Sequence, residues 1–267
     1  PFRSEYPINP SWEIAKSLPE HLPPLRAKDP NSRYAVSIPP VRILVHPEPI
    51  RVSYKAVREL VPSFWGETYL GRKIDLVIHI GMAGPRPVYQ IESRGHRTGY
   101  KAPDVDGKHL DELEGIRDEG WIWHDLPDEL RTDLNMQDIW ERWQQHSSND
   151  VNLRISDDAG RYLCDFIYYS SLSTCYKQDK ERKVVFFHVP ADASETIIKQ
   201  GQELAVNLIR AIVESEFGAL LDKATWWGCG KHIPTVLDSI PEEEWCACEP
   251  RVERDGKEYP PMAKSPS

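Results

Sequence analysis

The clearest strand in the sequence is IDLVIHIGMAG, residues 74–84, and it indicates the fold class. Its first seven residues are nearly all apolar and rich in β-branched side chains, which is typical of a strand covered on both faces in a parallel sheet. Gly81 and Gly84 let the backbone turn sharply where this strand ends. Because ligands bind beyond the carboxyl ends of strands in open α/β sheets, this turn is predicted to lie beside a functional site.

The rest of the chain alternates between strand-like and helix-like segments. Further strands are predicted at 41–50 (interrupted by prolines), 88–92, 151–156 and 183–190. Helices are predicted from Trp12 (with Ser11 as N-cap), over 54–61, over 138–145, around Cys164 and over 194–214. This alternation predicts an α/β protein of three layers, α/β/α, around a mixed, mostly parallel sheet.

The periodicity divides the chain into two parts. We expect one domain over residues 1–215, with an acidic, Trp-rich insertion near 110–150 whose aromatic side chains look exposed. Residues 216–267 are expected to form an extension with little regular structure.

Composition excludes several classes of function. The net charge is −9 and no basic stripe is visible, which argues against a nucleic-acid partner. No run of roughly 18 apolar residues is present, so no membrane span is expected. No secretion signal is visible, and we therefore expect a cytoplasmic protein whose five cysteines are reduced. The sequence does not predict an oligomeric state.

Three side chains could together form a thiol active site. Cys164 follows the Ala159-Gly160 turn near a helix start, where a thiol readily ionises. His188 and Glu92 each come at the end of a predicted strand, so one could activate the thiol and the other hold the imidazole. Each also has an ordinary interpretation, as a packed core thiol, a loop histidine and a solvated glutamate. The residues alone leave both interpretations open, and Asp104 or Asp165 could replace Glu92.

A set of motifs resembles the pyroglutamyl peptidase I family. The motifs are NPSWE (9–13), IHIGMAG (78–84), YQIES (89–93), SDDAGRYLC (156–164) and FFHVP (186–190). They occur in the family's order, and the resemblance covers residues 1 to about 213, least well near 110–150.

This resemblance implies a function and a fold. It implies a cysteine-type omega peptidase that removes N-terminal pyroglutamate from peptides through a thioester, without a cofactor or metal. It implies Glu92, Cys164 and His188 as the catalytic triad, on a fold similar to the nucleoside phosphorylases.

The resemblance also implies four substrate-binding residues. Phe2 would correspond to one of two family phenylalanines that wall the lactam pocket, and Met82 stands where the family has Gln. Lys101, beside Ala102, stands in place of an Arg that serves the oxyanion region. The family has a strand and a Gly-Phe-x-Pro-Phe stretch before Asn-Pro-Ser, so we expect a longer natural protein and poor activity of this chain as given.

Other functions remain open at this level. The chain could be a non-catalytic interaction protein that keeps the fold, or another Cys-His amide hydrolase. In the tail, Cys229, His232, Cys246 and Cys248 supply four ligands of a kind that zinc accepts.

Overall fold

A computed structural model describes residues 8–24, 38–84, 87–114, 121–221, 233–238, 242, 245–246, 251–254 and 256–261. The helices are α1 (Pro10–Lys16), α2 (Tyr54–Phe64), α3 (Leu110–Glu114), α4 (Met136–His146), α5 (Leu163–Lys177), α6 (Glu195–Leu221) and α7 (Ile233–Leu237). The strands are β1 (Val77–Ala83), β2 (Tyr89–Glu92), β3 (Arg94–His96), β4 (Glu129–Arg131), β5 (Leu153–Ser156), β6 (Val184–Pro190), β7 (Val252–Arg254) and β8 (Lys257–Tyr259).

The central sheet has four strands in the order β1-β6-β2-β5. β1 pairs parallel to β6 and β2 pairs parallel to β5, whereas β2 and β6 run antiparallel. The strand β6 lies inside the sheet and every one of its residues is buried, as its unbroken apolar sequence requires. The predicted mixed, mostly parallel sheet is confirmed.

Helices cover both faces of this sheet. On one face α2 packs against α5, and α5 contacts β1 and β6. The main apolar core lies here and includes Tyr54, Phe166 and Phe186. On the other face α1 contacts β1 and β6, while Trp143 of α4 stacks edge-on against Phe187 and donates to the Leu204 carbonyl of α6 at 2.9 Å. The three-layer α/β/α prediction is therefore confirmed.

Several local predictions are wrong in instructive ways. Residues 41–50 form no strand and make only an isolated bridge between His21 and Arg42, because their prolines remove backbone donors. Helix α1 is capped by the Asn9 side chain, two residues earlier than the predicted cap, Ser11. Residues 94–96, expected in a loop, form β3 and pair with β4.

Three of the four tryptophans of the 110–150 segment are buried, and the fourth, Trp140, is partly buried. Trp121, Trp123 and Trp143 retain 7%, 1% and 0% of their accessible surface. Trp123 packs on Tyr169 with a ring-centroid distance of 4.6 Å. This segment therefore contributes to the core, and its aromatics do not form a docking surface.

The chain divides into two compact units, residues 1–25 with 40–211 and residues 26–39 with 212–267. In the second unit, Ile233, Leu237, Trp245 and Tyr259 form a small apolar cluster and β7 pairs antiparallel to β8. The described part of this unit thus has more regular structure than expected, while the predicted boundary at residue 215 stays a prediction.

The cysteines of the two units differ. Cys164 and Cys175 are free, whereas Cys246 is disulfide-bonded, so the expectation of uniformly reduced thiols is wrong and Cys246 is not a zinc ligand in this state. The other three proposed zinc ligands lie outside the described residues. Within those residues, no cluster of three or more metal-binding side chains occurs and no helix is long and apolar enough to cross a membrane.

Candidate active site

The candidate nucleophile lies in the first turn of a buried helix. Cys164 is the second residue of α5 and is half-buried, so it lies near a helix start as predicted. The first N–H groups of a helix have no partner within it, and they make its N-terminus electropositive. Tyr162, the N-cap residue, donates its hydroxyl to the Pro103 carbonyl at 3.2 Å and so ties this helix start to the loop at 101–108.

The candidate base lies between the thiol and a carboxylate. His188 is 4% exposed and forms a side-chain hydrogen bond with Cys164. Its Nδ1 lies 2.7 Å from Oε1 of Glu92, which is fully buried. Burial lowers the pKa of His188, but the hydrogen bonds and charges of Cys164 and Glu92 outweigh it and raise this pKa to about 9. The geometry thus favours an imidazolium between two acidic groups.

Strand direction explains how Glu92 reaches His188. We expected the two side chains at the same end of a parallel sheet. Because β2 and β6 are antiparallel, their carboxyl ends lie at opposite ends of the sheet. Glu92 pairs with Phe186, and Gln90 pairs with His188. The Glu92 side chain therefore approaches His188 diagonally across the strand pair, a distance that a long acidic side chain spans.

The backbone of Glu92 is also held. Its carbonyl accepts the Tyr168 hydroxyl of α5 at 2.8 Å. Its Oε1 accepts a second hydrogen bond, from Gln90 Nε2 at 2.7 Å, while Oε2 is buried without a hydrogen-bond partner in the described part of the protein. Sequence analysis missed Gln90, although the two-residue period of a strand places it on the same face as Glu92.

A glycine makes room for the thiol. A Cβ added at Gly81 would lie 2.5 Å from Phe186 Cζ and 3.1 Å from Cys164 Sγ. Gly81 pairs with His188 between β1 and β6. The glycine that we assigned to a turn therefore lies within the strand, where it permits close approach of the nucleophile.

The other candidate carboxylates have different partners. Asp165 accepts hydrogen bonds from the backbone N–H of His96 and the hydroxyl of Tyr100, both at 3.2 Å, and burial raises its pKa to about 6. Asp104 accepts backbone N–H groups of Tyr54 and Lys108 and so organises its own loop. Neither is hydrogen-bonded to His188 in the described structure, whereas Glu92 is.

The predicted substrate-binding residues are less closely joined to this centre. Met82 lies in β1 next to Gly81 and is half-buried. Lys101 and Ala102 are exposed, and their carbonyls accept hydrogen bonds from His109 and Tyr54. Phe2 lies outside the described residues. The binding roles of all four stay predictions.

Comparison with known proteins identifies the family. The profile of the Pyroglutamyl peptidase family matches residues 50–216. Pyroglutamyl-peptidase 1 of Mus musculus is 32% identical over 177 residues, which cover 66% of this chain and 74% of the mouse protein. This chain belongs to the pyroglutamyl peptidase family.

More distant relatives agree with this assignment. A pyrrolidone-carboxylate peptidase of Bacillus cereus (strain G9842) is 27% identical over 233 residues, covering 79% of this chain and 90% of that protein. The pyrrolidone carboxyl peptidase of Thermococcus litoralis has a TM-score of 0.59 at 18% identity, covers 82% of this chain and 91% of its own, and shows the shared fold. Residues 221–256 match a second family profile, Domain of unknown function (DUF8730).

Family membership makes the chain a cysteine-type omega peptidase. The cysteine, histidine and glutamate expected from the sequence are brought together in one cluster by α5, β6 and β2.

Proposed function

We propose that this protein removes N-terminal pyroglutamate from peptides, with Cys164 as nucleophile, His188 as general acid and base, and Glu92 as the group that orients the imidazole. The observation that carries the proposal is His188 placed between the two others, bonded to Glu92 at 2.7 Å and to Cys164. The membership of the pyroglutamyl peptidase family supports the substrate class.

The reaction is an acyl transfer in two stages. The Cys164 thiolate attacks the carbonyl carbon that joins pyroglutamate to the next residue, and the C–N bond breaks as His188 transfers its Nε2 proton to the leaving amine. The neutral imidazole then takes a proton from water, which attacks the thioester and releases pyroglutamate and the thiol. Throughout, Glu92 accepts the Nδ1 proton in a hydrogen bond and stabilises the imidazolium.

The start of α5 supplies the electrostatic part of the mechanism. N–H groups of the first turn are unpaired within the helix and lie next to Cys164. They are suited to hold the oxyanion that forms when sulfur attacks the carbonyl.

A matched pair of cysteine variants tests the proposal. Cys164→Ala should abolish hydrolysis of a fluorogenic pyroglutamyl amide, because the variant loses the attacking sulfur. Cys175→Ala is the control, since Cys175 is a free thiol in the same helix whose pKa is raised to about 12 by burial. It should retain wild-type turnover per folded molecule. Wild-type turnover in Cys164→Ala would contradict the proposal.

The interaction-protein alternative loses one of its supports. Among the features that favoured it were the exposed-looking tryptophans near 110–150, and Trp121, Trp123 and Trp143 are buried. A different blocked N-terminus remains the competing substrate, and the same assay with acetyl and formyl amides of equal length separates it from pyroglutamate.

A further inference from the structure

A glutamine shares the carboxylate that holds His188. Gln90 Nε2 donates to Glu92 Oε1 at 2.7 Å, and His188 Nδ1 lies 2.7 Å from the same oxygen. The second oxygen, Oε2, is buried and has no hydrogen-bond partner among the described residues. Both side-chain donors to Glu92 therefore act on one oxygen.

The strands fix Gln90 in this position. Gln90 pairs with His188 of β6 on one side of β2 and with Arg154 of β5 on the other. It precedes Glu92 by two residues, so both side chains project from the same face of β2, next to the His188 ring. The backbone of Gln90 is therefore paired with a neighbouring strand on each side.

A carboxylate held by one donor can rotate. The last torsion of a glutamate side chain is broad. A half-turn only exchanges the two equivalent oxygens, but a partial turn would carry the accepting oxygen away from the Gln90 amide and break that hydrogen bond. The amide thereby limits the carboxylate to the orientation in which one oxygen meets both donors.

We propose that Gln90 is a positioning residue: its amide fixes the Glu92 carboxylate so that Oε1 holds His188 Nδ1–H and the Nε2 edge stays directed at Cys164. This inference rests on the function proposed above. Gln90 acts through Glu92 and is not assigned a contact with substrate.

The Gln90→Met substitution tests the role because it keeps the length of the side chain and removes the donor. A hydrogen bond to a charged group corresponds to roughly a tenfold to hundredfold effect on a rate when it is needed in the transition state. We expect kcat to fall by about tenfold or more with little change in KM. Gln137→Met is the control, since Gln137 donates to Glu141 at 2.8 Å in an exposed pair on α4, and it should retain wild-type kcat.

A double variant tests the route. In a Glu92→Gln background, Gln90→Met should change kcat by less than about twofold, because the residues are coupled. An undiminished loss in that background would overturn the inference. If Gln90→Met does not fold, Gln90→Leu, which also lacks the donor, must show the loss of kcat, and wild-type kcat in it would also overturn the inference.

A readout independent of turnover separates this inference from the proposed function. The His188 Nδ1–H proton should give a downfield proton NMR signal in the wild-type protein, and Gln90→Met should move it upfield or broaden it, whereas Gln137→Met should not. An unchanged signal and unchanged kcat in Gln90→Met would refute positioning and leave the peptidase intact. A protein that responds in this signal but hydrolyses no pyroglutamyl amide would refute the function alone.

Discussion

The Gly81→Ala substitution adds one methyl group where the site has no room for it. The new Cβ would lie 2.5 Å from Cζ and 2.8 Å from Cε1 of Phe186, and 3.1 Å from Sγ of Cys164. Carbon atoms in contact prefer a separation of about 3.5 Å, so the Phe186 ring must move by roughly 1 Å. Phe186 also packs on His188 with a ring-centroid distance of 4.5 Å, so this movement reaches the catalytic imidazole.

Two magnitudes follow for Gly81→Ala. Overpacking a core by one methyl group destabilises by about 1–3 kcal/mol, which we expect in the free energy of unfolding measured by urea denaturation. A misplacement of about 1 Å in an active site lowers the rate by roughly a hundredfold, which we expect in kcat/KM for the fluorogenic pyroglutamyl amide.

A second glycine of the same segment provides a control, and a smaller side chain at residue 186 provides a rescue. Gly84→Ala, at the end of the same segment, meets no atom within 4 Å and should be close to wild type. Adding Phe186→Leu to Gly81→Ala should restore part of the lost stability, because it removes the atoms nearest the new methyl group. Wild-type stability and wild-type kcat/KM in Gly81→Ala would refute the packing argument.

Four further predictions concern the triad. Because the pKa of His188 is raised to about 9, kcat/KM should fall as pH rises through about 9, when the imidazolium is lost; unchanged activity at pH 10 would contradict this. The raised pKa of His188 also contributes to the stability of the fold. This contribution is full below pH 6.5, the pKa in the unfolded state, and is lost as the pH rises to about 9, so the free energy of unfolding should fall between these pH values. The fall should be smaller in His188→Gln. Iodoacetamide at neutral pH should alkylate Cys164 before Cys175, whose pKa is raised to about 12 by burial, and peptide mapping showing the reverse order would count against an activated thiol. Glu92→Gln should lower kcat by roughly a hundredfold, whereas an Asp165→Asn variant that matched this loss with an intact fold would transfer the orienting role to Asp165.

The sequence predicts β1 and β6 because both lie in largely apolar runs. These runs are residues 74–84 and 183–190, and β6 is buried throughout. The segment 41–50 has a similar pattern, but its prolines prevent a ladder and it stays outside the sheet. Local pattern therefore identifies a strand where the backbone donors are present and fails where they are missing.

Strand direction and burial in the tertiary structure are harder to predict from the sequence. Nothing in residues 89–92 shows that β2 runs antiparallel to β6, since direction depends on the connection and not on side chains. The tryptophans at 121, 123 and 143 lie in an acidic segment, and their partners Tyr169 and Phe187 are distant along the chain. Their burial could not be predicted from a local pattern.

The catalytic cluster was predicted in part for the wrong reason. Cys164 was expected at a helix start and lies there. Glu92 was expected on the same sheet edge as His188, but it reaches the imidazole across an antiparallel pair. The resemblance of the motifs, rather than the edge argument, selected Glu92 over Asp104 and Asp165.

During turnover, Cys164 should carry the acyl group of a covalent intermediate that can be trapped. Wild-type protein mixed with excess pyroglutamyl amide is quenched in acid during turnover, digested and analysed by mass spectrometry. We expect one pyroglutamyl acyl group, carried by the peptide that contains Cys164, and none in the Cys164→Ala variant. An acyl group on another residue, or turnover that persists in Cys164→Ala, would contradict this expectation.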